Sequence, residues 1–196
     1  MKRQFEEFEL GDIIGTGTVG SIYRATDLSQ GEVRAVKVLQ HGVSQDQNIV
    51  SRFEREMLIL SKLNHPNIVS YYGGGRTDDG RLFYVMELVE GGTLKQVLRS
   101  HNKLSWHETI NYGIQICSAL QHAHNHSIIH RDLKPDNIFI TNSLDTDFSY
   151  VPSVKLLDFG IAKQATGKAA HKTATGMVLG TPDFMAPEQI SGEPPT

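Results

Sequence analysis

The chain has 196 residues, 39% hydrophobic and 21% charged, which is long and apolar enough to bury a core in one or two domains. With 19 basic and 22 acidic residues its formal net charge is -3, so no bulk field draws it to nucleic acid or anionic lipid, and its partners must be recognised locally. No apolar stretch follows Met1-Lys2-Arg3-Gln4 and no run of about 18 apolar residues occurs, so no leader or membrane segment is expected. The single cysteine, Cys117, has no partner for an internal disulfide; it fits a reducing, cytoplasmic setting and, lying in an apolar-periodic stretch, is expected to be buried.

From Phe8 to Leu39, short apolar or β-branched runs alternate with turn chemistry: Leu10 to Ile14, a glycine-rich stretch, Ser21 to Thr26, Ser29-Gln30-Gly31-Glu32, then Val33 to Leu39. This pattern predicts antiparallel strands. Ile49 to Leu63 sets Phe53, Met57, Leu60 and Leu63 at helical spacing, and Asn64-His65-Pro66-Asn67 ends that helix because Pro disfavours helical geometry in the residue before it. Two further strands are predicted over Ile68 to Tyr72 and Leu82 to Leu88, joined through the turn Thr77-Asp78-Asp79-Gly80. Glu90-Gly91-Gly92 breaks the chain before Thr93 to Ser100 and marks a domain boundary. Ser105 then caps a helix with Glu108 as its capping-box partner, and Ile110, Ile114, Cys117, Leu120 and His124 mark one face. Trp106 reads as a packing residue. A strand-rich lobe thus precedes a helical one.

Gly15-Thr16-Gly17-Thr18-Val19-Gly20 offers three glycines whose missing side chains let backbone N–H groups approach phosphate oxygens. A dinucleotide-binding loop of the same spacing would open a helix, but Ser21-Ile22-Tyr23-Arg24-Ala25 reads as a strand and no fitting acidic residue follows. The next strand carries Lys37 among apolar neighbours, in Ala35-Val36-Lys37-Val38. Glu56 on the following helix is its natural counter-charge; Glu54 competes, and the helical distances to Leu60 and Leu63 favour Glu56. His122, His124, His126 and His130 form a histidine tract in which His122 and His126 stand one helical turn apart, but a solvated helix end explains it better than a metal does.

His130-Arg131-Asp132-Leu133-Lys134-Pro135-Asp136-Asn137, then Asp158-Phe159-Gly160 and Ala186-Pro187-Glu188, complete a series that begins with the glycine loop and the strand lysine. On these five ordered motifs the chain, from about Phe8 to Glu188, resembles the eukaryotic-like Ser/Thr protein kinases of bacterial type. The resemblance implies an α+β, bilobal fold, with an antiparallel β-sheet N-lobe over 8–89 and a partial helical C-lobe over 90–196. It also implies ATP and Mg²⁺ as cofactors and protein Ser/Thr hydroxyls as acceptors. By the same resemblance Asp132 accepts the hydroxyl proton, Lys134 stabilises the transferred phosphoryl, and Asn137 and Asp158 hold Mg²⁺, whose preference is for hard oxygen ligands. Met86 becomes the gatekeeper, the backbone of Glu87 to Val89 forms the hinge, and Ile14, Ile22, Ala35 and Phe139 sandwich the adenine. Phe139 stands where the family usually has an aliphatic residue. Lys134, and Thr181 ahead of Ala186-Pro187-Glu188, resemble Ser/Thr rather than tyrosine kinases.

Arg131 implies a basic pocket for a phosphorylated loop, with Thr173 or Thr175 as the phosphorylated residue. Twenty residues separate Asn137 from Asp158, more than the family usually has, and loops take such lengthening at little cost. The chain stops eight residues after Glu188, before the helices expected to pair with it, which suggests a fragment or a natural truncation. The alternative to an active kinase is a catalytically weak nucleotide-binding or regulatory module.

Overall fold

The apolar runs at the start of the chain fold as a five-stranded antiparallel sheet. Its strands are β1 (Phe8–Gly17), β2 (Gly20–Asp27), β3 (Glu32–Leu39), β4 (Tyr71–Arg76) and β5 (Leu82–Glu87), in the order β1-β2-β3-β5-β4. The computed structural model describes residues 2–17, 20–41, 47–141, 152–159 and 182–191. These cluster as two compact units: residues up to 64 with 69–88, and residues 65–68 with those from 89 onward.

In the first unit the two-residue period of the strands separates two faces. Phe8, Ala25, Val36, Val38, Phe83 and Val85 bury one of them, with Phe5, Leu10, Tyr23 and Tyr72 packed around. Helix α1 (Gln47–Leu60) lies against β4, and its Phe53 ring meets that of Tyr84 at 6.2 Å on the other face. Val50, Phe53, Met57 and Leu60 are its buried stripe, as the helical spacing predicts. The helix stops at Leu60, three residues sooner than expected, although Leu63 is still buried. The turn between β2 and β3 is built on the buried Asp27: its carboxylate accepts from the Ser29 N–H (3.0 Å) and hydroxyl (2.6 Å) and from Arg3 (2.8 Å). Gly31 closes this turn at φ +70, a conformation that glycine adopts without strain, with its N–H on the Asp27 carbonyl at 2.7 Å.

The second unit holds β6 (Gly91–Thr93), α2 (Leu94–His101), α3 (Trp106–Asn125), β7 (Ile138–Thr141), β8 (Ser153–Leu156) and the short α4 (Pro187–Ser191). The three strands form an antiparallel sheet in chain order. Both longer helices open on capping boxes, Thr93 with Gln96 and Ser105 with Glu108, the latter as expected. Glu90-Gly91-Gly92 is less of a break than expected, since Gly91 and Gly92 belong to β6.

Helix α3 corrects the expected buried face. Tyr112, Ala119 and Ala123 are its buried residues, whereas Cys117 and His124 are exposed, and Ile110 and Ile114 are 54% and 65% exposed. The helix is apolar on two sides, so periodicity alone picks the bulkier stripe; α3 packs on β8, and the side it buries is that of Tyr112 and the two alanines. Trp106 is also not a packing residue: it is 67% exposed, and among the described residues it stacks on His107, with ring centroids 3.4 Å apart.

The expected strand from Ile68 to Tyr72 divides. Tyr71 onward pairs with β5, while Ile68 makes an isolated parallel bridge to Leu156 in the second unit. Among the described residues no helix is long and apolar enough to cross a membrane.

Candidate functional site

In the first unit the strand register puts the expected nucleotide residues on one face of the sheet. Ile22 lies opposite Lys37 across β2 and β3; Ala35 lies opposite Met86, and Lys37 opposite Tyr84, across β3 and β5. Cross-strand partners share a face, so Ile22, Ala35, Lys37, Tyr84 and Met86 stand together on the face that α1 covers. Ala35 and Met86 are buried, and the Lys37 ammonium sits 5.7 Å from the centroid of the buried Tyr84 ring. Glu56 falls on α1 one turn after Phe53, but its side chain lies outside the described residues. The competing Glu54 is exposed. Ile14, on β1, is 50% exposed.

Gly15, Thr16 and Gly17 end β1 and Gly20 starts β2, with Gly17 paired to Gly20; Thr18 and Val19 lie outside the described residues. The glycines are not equivalent. A Cβ at Gly20 would collide with the Val38 carbonyl oxygen and reach the Leu39 Cα at 3.0 Å, whereas one at Gly17 would meet nothing within 4 Å among the described residues. Gly20 therefore serves the sheet. Gly17 leaves open space beside the backbone, as close approach of an anion requires. Where β5 ends, the Glu87 N–H donates to the Ser70 carbonyl at 2.9 Å, and its carboxylate accepts from the Ser70 N–H at 3.2 Å.

In the second unit the loop from His130 to Asn137 is built around a buried histidine. His130 is 2% exposed and packs on the buried Phe159 with ring centroids 4.5 Å apart. Burial pulls its pKa below 6.5 against the opposing pull of the Asp132 carboxylate, so the ring stays neutral. Arg131 is left-handed at φ 60, which costs an L-residue about 1–2 kcal/mol and holds only where the surroundings impose it. The next amide, Asp132 N–H, donates to the His130 carbonyl at 2.8 Å.

The half-buried Asp132 carboxylate then gathers two partners. Lys134 Nζ stands 3.2 Å from Oδ2, and the Asn137 side-chain N–H donates to Oδ2 at 3.0 Å and to the Asp132 carbonyl at 2.8 Å. These bonds engage the nitrogen end of the nearly buried Asn137 amide, which turns its carbonyl oxygen the other way. A hard divalent cation needs such an oxygen, so this donor set fits Mg²⁺. The Asn137 carbonyl accepts from the Leu157 N–H at 2.9 Å, tying the loop to the residue before Asp158, itself left-handed at φ 48. Lys95 on α2 pairs with Asp136 at 2.7 Å, and Phe139 is half-buried on β7, opposite Lys155.

Two residues of this site were not singled out in the sequence. In the sequence Asn67 is legible only as part of a helix stop, and Gln115 belongs to no motif. The buried Asn67 side-chain N–H donates to Gln115 Oε1 and to the Val154 carbonyl, both at 2.8 Å, while Gln115 Oε1 also accepts from the Val154 N–H at 2.8 Å. The Leu156 N–H donates to the Asn67 carbonyl at 2.8 Å. Together they fix β8, the strand that delivers Asp158. An amide between Ile114 and Ile116 is the one local signal for Gln115. Thr173, Thr175 and Thr181 lie outside the described residues.

The family model described as protein kinase domain matches residues 8–196, and the chain belongs to that family. It is 41% identical over 189 residues to the serine/threonine-protein kinase pkn3 of Myxococcus xanthus, covering 95% of this chain and 34% of that protein. It is 38% identical to the serine/threonine-protein kinase PrkC of Bacillus subtilis, over 97% of this chain and 28% of the other. The chain thus spans about a third or less of the length of these curated relatives. Among solved structures it is similar to a double-mutant form of the Mycobacterium tuberculosis PknI kinase domain, with a TM-score of 0.73 at 25% identity, covering 98% of this chain and 69% of that one. The fold is accordingly the α+β protein-kinase fold.

Proposed function

We propose that this chain is the ATP-binding and catalytic part of a Ser/Thr protein kinase, transferring the γ-phosphoryl group of ATP to protein hydroxyls. The observation that supports the reading is the Asp132, Lys134 and Asn137 network, in which the Asp132 carboxylate lies 3.2 Å from the Lys134 ammonium and accepts from the Asn137 amide at 3.0 Å. Asp132 orients the acceptor hydroxyl and takes its proton, and Lys134 screens charge on the group in transfer. Asn137 and Asp158 would hold Mg²⁺, which when bound neutralises phosphate charge. On the residues of 8–89, Lys37, countered by Glu56, binds phosphate oxygens, and the loop from Gly15 to Gly20 lies along them. The Glu87 N–H already serves Ser70, and the adenine's hydrogen-bond donor is the Val89 N–H, as the kinase resemblance implies.

The acceptors are Ser and Thr residues of proteins, with Thr173 or Thr175 as sites of self-phosphorylation, and an exposed lone Cys117 suits a reducing cytoplasm. The test is labelled-ATP transfer by the purified chain with Mg²⁺, beside Asp132→Asn, with nucleotide affinity measured in parallel. Transfer should fall at least about a hundredfold in the variant while ATP affinity stays. Equal transfer by the variant refutes the role of Asp132. ATP binding without transfer by either chain would make this a nucleotide-binding module instead.

A further inference from the structure

We propose that Gln189 is a positioning residue of the catalytic loop: its side-chain amide clips the Arg131–Asp132 peptide and thereby aims Asp132. The role assigned to Asp132 rests on the phosphoryl-transfer reading, whereas the clip itself is a property of the fold.

Gln189 lies on α4, just past Ala186-Pro187-Glu188, and is half-buried. Its Oε1 accepts from the Ala186 N–H at 3.1 Å and its Nε2 donates to the Arg131 carbonyl at 2.8 Å. Both partners are backbone groups, one able only to donate and the other only to accept, so the orientation of the amide is fixed without ambiguity. The Arg131 carbonyl and the Asp132 N–H belong to the same peptide plane. Gln189 holds that plane at its oxygen, and the His130 carbonyl holds it at its nitrogen, at 2.8 Å. A plane fixed at both ends sets the last backbone angle of Arg131 and the first of Asp132, and with them the direction in which the Asp132 side chain leaves the backbone.

The clip also falls where the backbone most needs one. Arg131 is held left-handed at φ 60, a conformation an arginine leaves readily once its restraints are removed. The Asn137 bonds restrain the Asp132 carboxylate and carbonyl but do not reach this plane. None of the motif residues that carry the kinase resemblance includes Gln189.

Two substitutions separate the clip from the helix cap. Gln189→Glu keeps an oxygen for Ala186 but presents no donor to Arg131, and Gln189→Met keeps the length with neither. We expect both to speed amide exchange of the peptide containing Asp132 by about tenfold or more, at unchanged global melting. We also expect both to lower kcat about ten- to a hundredfold, with KM for ATP held within about twofold, since displacement affects the transferring geometry and not nucleotide contacts. Wild-type exchange in Gln189→Glu, or a defect confined to Gln189→Met, overturns the proposal, because α4 capping alone would then explain the residue. If the wild-type chain transfers no phosphate, the functional reading fails, and the exchange measurement still decides the clip.

Discussion

Replacing Asn67 with leucine tests whether a buried amide, more than apolar packing, fixes the strand that delivers Asp158. Leucine keeps the branching and heavy-atom count of asparagine, so no cavity opens; its bulkier methyl groups add packing strain on top of the lost hydrogen bonds. Two bonds of 2.8 Å disappear, to Gln115 Oε1 and to the Val154 carbonyl. Gln115 Oε1 keeps the Val154 N–H, so its loss is that of an ordinary net hydrogen bond, about 1 kcal/mol. Val154 is fully buried, so its carbonyl is left deprived of a partner in a site water does not reach, at about 1–3 kcal/mol. The expected sum is about 2–4 kcal/mol, which for a chain of this length lowers the melting temperature by on the order of 10 °C. Urea unfolding followed by circular dichroism measures it, and a double-mutant cycle with Gln115→Leu should return a coupling of about 1 kcal/mol. A loss below about 0.5 kcal/mol at unchanged m-value would refute the reasoning, because the Val154 carbonyl would then have no need of Asn67.

Other outcomes follow from the same geometry. Lys37→Met keeps the stem that packs beside Tyr84 but removes the charge, so the fold should survive while phosphate transfer falls about a hundredfold; normal transfer would assign the phosphates to another cation. Gly20→Ala drives a Cβ into the Val38 carbonyl and should destabilise by about 1–3 kcal/mol, whereas Gly17→Ala should leave stability within about 0.5 kcal/mol and weaken ATP binding several-fold, both read by melting with and without nucleotide.

Burial depresses the pKa of His130, and burial with the neighbouring His122 depresses that of His65, both from 6.5. The unfolded chain therefore binds more protons than the folded one below that value. Stability should be full above about pH 6.5 and decline as the pH falls through the depressed values, and His130→Phe should remove part of the decline. A flat urea midpoint between pH 7 and pH 5 would contradict this.

The legible parts of the protein were those set by local chemistry. The strand runs between Phe8 and Leu39, the helical spacing of Phe53, Met57 and Leu60, and the Ser105 cap needed only neighbouring residues, and each appears where the sequence puts it. Motif order sufficed for the family. The kinase resemblance also named Asp132, Lys134 and Asn137 as a set, and because they lie within six residues they meet in one loop.

What folding alone decided depends on partners distant in the chain. Ile110, Ile114 and Cys117 have the right period for a buried stripe, yet α3, packed on β8, turns Tyr112, Ala119 and Ala123 inward. Periodicity says that a helix has a face; only the neighbour says which. Asn67, Gln115 and Gln189 were invisible for the same reason. An amide side chain carries no local signature of its distant partners, and these three acquire their meaning from backbone groups 39 to 87 residues away, or from each other 48 residues apart.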